Sequence, residues 1–316
     1  MDLTASEISV RLGATWLNPE YIRQFMFETL GTPRSCGAER TETKRGGVCR
    51  QPSVPVAAKA MLHPWEEPCL VGEKGAGTVF FSGCSLRCCF CQNGSISQGE
   101  VGRPVTAARL REIFRELIAQ GAACLDLVTP THFTPVILEA LGDEPWPVPV
   151  VWNCGGYEKA ETLKLLEGKV QVYLPDLKYA LPAPAKKYSA AEDYFDWAST
   201  AILEMFRQTG AYKIENGLLK RGVLIRHLIL PGELENTRRV IDWVAANFRP
   251  GDVLFSLMSQ YTPSRGAVGN LARHVTRAEY RAAVEYMENC GITDGFTQER
   301  TSAKEEYTPD FDLRGI

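Results

Sequence analysis

The feature that most narrows the fold is a rhythm: from residue 77 onwards, short apolar or β-branched runs alternate with stretches of helical period. The predicted strands are 77–82, 124–129, 148–154, 170–176, 222–230 and 252–258, each bounded by turn residues. Between the first two, Thr106 is a candidate N-cap for a helix whose Leu110, Ile113, Leu117 and Ile118 share one face, and Gly121 is its candidate left-handed stop. Further helices are expected near 134–141, 159–166, 192–208, 236–247 and 277–289. Such repetition requires right-handed crossovers and builds a parallel sheet. Six units are fewer than the eight that close a full barrel. Periodicity alone leaves an open partial barrel and a flat doubly wound sheet both standing.

In a parallel α/β fold, ligands sit at the carboxyl ends of the strands. The distinctive residues of this chain collect there: Cys84, Cys88 and Cys91 after the first strand, Thr129 to Phe133 after the second, and Asn153 with Gly155 and Gly156 after the third. Asp176 and Lys178 end the fourth, Arg226 and His227 lie on the fifth, and Gln260 follows the sixth. Three thiolates on one short loop can hold three irons of a 4Fe-4S cluster and leave the fourth iron open to a small molecule. A structural zinc site would need a fourth ligand, such as Cys69 or the adjacent Cys89. A redox pair of Cys88 and Cys91 would leave Cys84 unexplained. The context favours the cluster: Phe90 precedes the last ligand, Gln92 and Asn93 follow it, and a strand lies upstream. Cys89 is expected to be a small packed side chain.

These stretches, "EEPCLVGEKGAGTVFFSGCSLRCCFCQN", "LVTPTHFTP", "VYLPDLKY", "IRHLILPG" and "SLMSQYTP", resemble the pyruvate formate-lyase activating enzymes, and more closely their activating-enzyme homologues, within the radical S-adenosylmethionine (SAM) superfamily. The resemblance covers roughly residues 62–298. It implies a partial (β/α)6 TIM-type barrel with a parallel sheet and an N-terminal extension. It also implies a 4Fe-4S cluster on Cys84, Cys88 and Cys91, with SAM chelating the unique iron. The reaction it implies is reductive cleavage of SAM to a 5′-deoxyadenosyl radical, driven by an external donor, a flavodoxin or ferredoxin. By the same resemblance Lys178 and Arg226 contact the SAM carboxylate or ribose; a point charge and a bidentate fork both suit a carboxylate. A salt bridge from Asp176 to either cation is the alternative. One departure stands out: the family's Gly-Gly-Glu after the second strand is replaced by Thr129-Pro130-Thr131-His132. The residues expected around SAM are Phe90, Thr129, Thr131, His132, Asn153, Asp176, Lys178 and Arg226. A glycyl radical enzyme is the family's substrate; a small molecule or a peptide is the competing one, and a non-catalytic iron-sulfur or zinc protein is the alternative of a different class.

Residues 1–70 read as an irregular N-terminal extension, with a helix near 21–30, an exposed loop at 40–47, and Cys36 and Cys49 in no metal motif. His63, Trp65, Glu66 and Glu67 close it, as the mouth of a site or as a solvated connector. Residues 71–298 form the barrel and 299–316 a C-terminal tail, whose Lys304, Glu305 and Glu306 are expected in solvent. Across 316 residues the chain is 45% hydrophobic and 23% charged, as globular domains are. A net charge of −3 disfavours nucleic acid as a partner. No apolar stretch reaches about 18 residues, so no membrane span is expected. Ten cysteines, four of them between Cys84 and Cys91, point to a reducing cytoplasm.

Overall fold

The computed structural model describes residues 33, 40, 41, 43–99, 101–264, 267–297 and 309–316. The helix expected near 21–30, Cys36 and the charged residues 304–306 lie outside them. The frame is a single sheet. Strands β1 (Val56–His63), β2 (Ala76–Phe81) and β3 (Arg103–Pro104) are followed by β4 (Leu125–Val128), β5 (Val150–Cys154) and β6 (Val172–Pro175). Then come β7 (Lys213–Glu215), β8 (Leu218–Leu228), β9 (Leu254–Met258) and β10 (Gly295–Thr297). The spatial order is β10-β9-β8-β6-β5-β4-β2-β1-β3, with β7 paired on β8. From β2 to β10 the ladder along this path is parallel, as the crossovers require. No pairing joins β3 to β10 among the described residues, so the sheet is open and the partial barrel is the architecture.

The long helices form where caps and apolar faces agree. The Thr106 side chain accepts from Arg109 N at 3.1 Å and starts Ala107–Ala119 (α3), which buries Leu110, Ile113, Phe114 and Leu117. Ile118, expected on that face, is only partly buried, because Phe114 carries the stripe to the other flank. Preceding α3 are two single turns, Pro68–Val71 (α1) and Gly94–Ser97 (α2). Thr134–Leu141 (α4), Ala160–Lys164 (α5), Pro182–Ser189 (α6), Tyr194–Thr209 (α7) and Leu234–Asn247 (α8) follow, and a capping box of Thr276 and Glu279 starts Arg277–Asn289 (α9). None of the described helices is long and apolar enough to cross a membrane.

The chain departs from the expected irregular extension at Val56. Strand β1 runs antiparallel to β2, register Ala60 to Val79, and carries the sheet past its parallel part. Its Lys59 is buried because the ammonium meets Asp312 at 3.0 Å and donates to the Asp310 carbonyl at 2.6 Å. Residues 309–316 are therefore docked on the sheet rather than trailing: Ala60 N donates to the Arg314 carbonyl at 3.0 Å, and Phe311 meets Phe80 edge-on at 5.5 Å. A second unforeseen element is the β7–β8 hairpin. It turns through Asn216 (φ 51°) and Gly217 (φ 77°), two left-handed residues suited to a tight hairpin.

Candidate functional site

The loop after β2 is fastened at both ends. Gly83 N donates to the Ile96 carbonyl at 2.9 Å, Cys89 N to Tyr188 O at 2.9 Å, and Gln98 Nε2 to Cys88 O at 2.9 Å. Gly83 has φ 83°, and a Cβ there would lie 2.4 Å from Gln51 Cγ and 2.8 Å from the Cys49 carbonyl. Only glycine lets the 46–51 hairpin seat against the start of the cysteine loop.

Within the loop, Cys88 is buried, Cys84 and Cys91 are half-buried, and Cys89 is exposed. The expectation that Cys89 packs inward fails, because the turn that faces Cys88 and Cys91 to the interior carries Cys89 outward. The Ser189 hydroxyl donates to Cys88 Sγ at 2.9 Å and the Ser97 hydroxyl to Cys91 Sγ at 3.3 Å. Burial pushes the Cys88 thiol up to about 12; Lys178 opposes that rise, while Cys84 and Cys91 add to it. Burial and Cys84 likewise raise Cys91. Three thiols on one loop, two of which already receive a hydroxyl hydrogen bond, form a soft donor set that fits a cationic iron-sulfur core. Among the described residues no group of three or more His, Cys, Asp or Glu side chains is arranged for a lone metal ion.

Cys88 and Cys91 open onto a cavity of about 220 Å³ at the carboxyl ends of the strands. Phe90, held edge-on between Tyr188 and Tyr261 at 6.4 Å from each, forms part of its wall. Facing the loop are Asn153, Asp176, Lys178 and Arg226, four of the residues expected around SAM. Arg226 organises them: Nε donates to Asp176 Oδ1 at 3.0 Å, Nη1 to Glu66 Oε1 at 3.0 Å and Nη2 to Asn153 Oδ1 at 2.6 Å. Asn153 Nδ2 closes the ring on Glu66 Oε2 at 2.9 Å, and Lys178 pairs with Asp176. Both cations thus form the salt bridge to Asp176 and line the cavity. Arg226 spends three of its five N–H groups on the ring, and Lys178 one of three, so each keeps donors for a ligand. Burial alone would raise Asp176, but Lys178 and Arg226 outweigh it and hold the carboxyl below its ordinary value.

Two more acids lie deeper. Burial pushes Glu67 up to about 7 against the pull of Arg226, and burial with the field of Glu66 raises Asp126, which accepts from Thr78 Oγ1 at 3.2 Å. The second oxygen of each, like the Ser256 hydroxyl, has no hydrogen-bond partner among the described residues. Glycine serves structure here too. Gly156 has φ 77°, and a Cβ would strike the Asp176 carbonyl at 2.1 Å, so its close approach is to the end of β6 and not to a ligand.

The segment after β4 does not reach the cavity. None of Thr129, Thr131 and His132 is in its lining. Thr129 (φ 58°) donates its N–H to the Asn153 carbonyl at 2.8 Å. Thr131 donates to Glu158 Oε1 at 2.7 Å. His132 Nε2 bonds the Ser82 carbonyl at 2.7 Å beneath the cysteine loop, and burial lowers its pKa to about 3. The short turn Thr131–Phe133 rotates Thr131 and His132 inward and away from this cavity, where Thr131 Oγ1 and His132 Nε2 are taken up. His227 is likewise internal, between the Leu177 carbonyl at 2.7 Å and Thr237 Oγ1 at 3.0 Å. In their place the cavity holds His63, Trp65 and Glu66, so the segment read as either mouth or connector is part of the site. Its signal in the sequence was the acidic pair next to a tryptophan.

Residues 71–134 match the family described as the 4Fe-4S single cluster domain. Over 264 residues the chain is 30% identical to "Uncharacterized protein MJ0674" of Methanocaldococcus jannaschii, covering 79% of this chain and 72% of that one. Among solved structures, it is similar to Streptococcus suis SuiB bound to S-adenosylmethionine, with a TM-score of 0.47 and 12% identity. That match covers 72% of this chain, which spans only 52% of SuiB. A domain of pyruvate-formate lyase-activating enzyme from Bacteroides vulgatus is similar at a TM-score of 0.35 and 11% identity, over 61% of this chain and 91% of that domain.

Proposed function

This chain belongs to the family of that archaeal protein, and we propose that it is a radical SAM enzyme, holding a 4Fe-4S cluster on Cys84, Cys88 and Cys91 and cleaving SAM reductively. One observation carries the reading: Cys88 and Cys91 share a cavity with Asn153, Asp176, Lys178 and Arg226 at the carboxyl ends of a parallel sheet. When bound, the cluster and SAM supply the chemistry, one electron entering the sulfonium to release methionine and a 5′-deoxyadenosyl radical.

The chain's own residues bind and orient. Lys178, kept protonated beside Asp176, offers its remaining N–H groups to a carboxylate. Arg226 is locked in position by Glu66, Asp176 and Asn153, so it meets a ligand without losing further rotamer freedom. Phe90, Val128, Leu228 and Met258 line the same space and exclude water, which strengthens those charges. The hydroxyls of Ser97 and Ser189 direct hydrogen bonds at two of the ligand sulfurs, a contact that tunes cluster potential.

The finer proposal is that hydrogen is taken from a protein, a glycine loop of a glycyl radical enzyme. The open sheet and Trp65, 54% exposed at the cavity, support an extended substrate. The test incubates the anaerobically reconstituted protein, SAM and a strong reductant with candidate glycyl radical proteins. Formation of 5′-deoxyadenosine and an organic radical doublet in electron paramagnetic resonance (EPR) is the expected result. Deoxyadenosine formed equally with and without every such protein, but stimulated by a small metabolite or peptide, would keep the radical chemistry and replace the substrate. No deoxyadenosine from fully loaded protein would remove the proposal altogether.

A further inference from the structure

A second cavity, of about 330 Å³, adjoins the cysteine loop and shares no lining residue with the first. Its lining includes Arg45, Arg50 and Arg87, together with Ser97 and Gln98. None of the three arginines has a carboxylate partner among the described residues, in a chain whose formal net charge is −3. The hollow is therefore a local reversal of sign.

It is also a built feature. Arg45 and Arg50 belong to the hairpin that seats on Gly83, closed by Gly46 N to Gln51 O at 3.2 Å and Arg50 N to Gly47 O at 3.1 Å. Arg50 and Arg87 both hold left-handed backbone at φ 54°, a conformation that long side chains adopt only when the surroundings impose it. The hollow reaches the ligand loop directly. Ser97 in its wall donates to Cys91 Sγ, Gln98 donates to the Cys88 carbonyl, and Arg87 immediately precedes Cys88. Cys88 and Cys91 thus have the first cavity on one side and the arginine hollow on another.

We propose that this hollow is the docking site of an acidic one-electron carrier protein that reduces the cluster, an inference that rests on the function proposed above. The step is balanced: the carrier loses one electron, the cluster gains it, and no bond or proton need move. A carrier protein fits better than a small reductant, which needs no positive surface. Redox encounters are small, transient and steered by charge, and unpaired arginines at the rim of a ligand loop supply that field.

The test uses the full chain loaded with its cluster and a purified flavodoxin as the probe, with binding measured in the absence of SAM. In the double variant Arg45→Glu, Arg50→Glu we expect the Kd for flavodoxin to rise about tenfold, and the rate of cluster reduction by flavodoxin to fall by a similar factor. High salt should weaken wild-type binding comparably. Reduction by dithionite, followed by the EPR of the cluster, should stay at the wild-type rate. Should the double variant fail to hold its cluster, Arg45→Gln alone, on ordinary backbone, is expected to raise the Kd about threefold. A variant that retains the cluster and binds flavodoxin as tightly as wild type overturns the proposal. Loss of flavodoxin binding in a protein that never cleaves SAM with dithionite would overturn the proposed function and leave the docking site standing.

Discussion

The two ends of the barrel interior are built from the same strands and have opposite character. Towards the amino ends the filling is apolar: Leu70, Val151, Val172, Leu174, Leu224 and Leu254, with Cys69, Ala76, Cys124 and Leu219. Towards the carboxyl ends stand Asn153, Asp176 and Arg226, two residues further along β5, β6 and β8 than Val151, Leu174 and Leu224. Two residues of strand rise about 6.6 Å, so a single side-chain layer separates dry packing from a charged site. The segment between β1 and β2 crosses that boundary. Its Glu66 joins the ring on Arg226, while Cys69 and Leu70 join the apolar plug. Glu67 and Asp126, both raised by burial, mark the boundary itself. Apolar packing fills one layer of the interior and the charged ring fills the next.

That division can be broken from either side. The largest effect is expected from Cys88→Ala, which should abolish the cluster, read as loss of iron and of the EPR signal, while leaving the fold intact by circular dichroism. Next is Arg226→Met, which strands Glu66 without its cation, leaves Asp176 with Lys178 alone and should cost about 3–5 kcal/mol in denaturant unfolding. Little change in stability would mean that the ring is not closed in solution. Leu224→Ala, in the plug, should cost about 3 kcal/mol and leave any SAM-dependent change in the cluster spectrum untouched. A changed spectrum would couple the two layers. The smallest effect concerns Glu67. Its folded pKa of about 7 lies above the ordinary 4.5, so the native state holds a proton that the unfolded chain releases. The stability this confers is complete below the unfolded value and lost as pH rises through about 7, roughly 3 kcal/mol at most. Glu67→Gln should flatten that decline, and an unchanged slope would assign it to other groups.

The strand and helix rhythm was readable because its signals are local. The helices expected at 134–141 and 277–289 are Thr134–Leu141 and Arg277–Asn289 as built, where Pro135 sets one first turn and a capping box sets the other. Strand β1 was not readable. Its sequence is rich in alanine, which strands disfavour, and its Lys59 is buried only through Asp310 and Asp312, far away in the chain. The site divides in the same way. Asn153 and Arg226 lie on strands and Asp176 sits in the bridge that continues β6, where alternation sets the side a residue faces; Lys178 follows two residues on. Thr131 and His132 sit in a turn, where position along the chain says nothing of direction. The Glu66 contact was half readable, since an acid next to a tryptophan suggests a site but the partner, Arg226, lies on β8.

On the proposed function, one cavity holds both the cluster and SAM. The most direct measurement is the EPR spectrum of the anaerobically reconstituted, reduced protein with and without SAM. Binding of SAM to the open iron, with Lys178 and Arg226 around it, predicts a clear change in the cluster signal. A fully loaded, reduced cluster whose spectrum is the same with saturating SAM as without it would contradict the account.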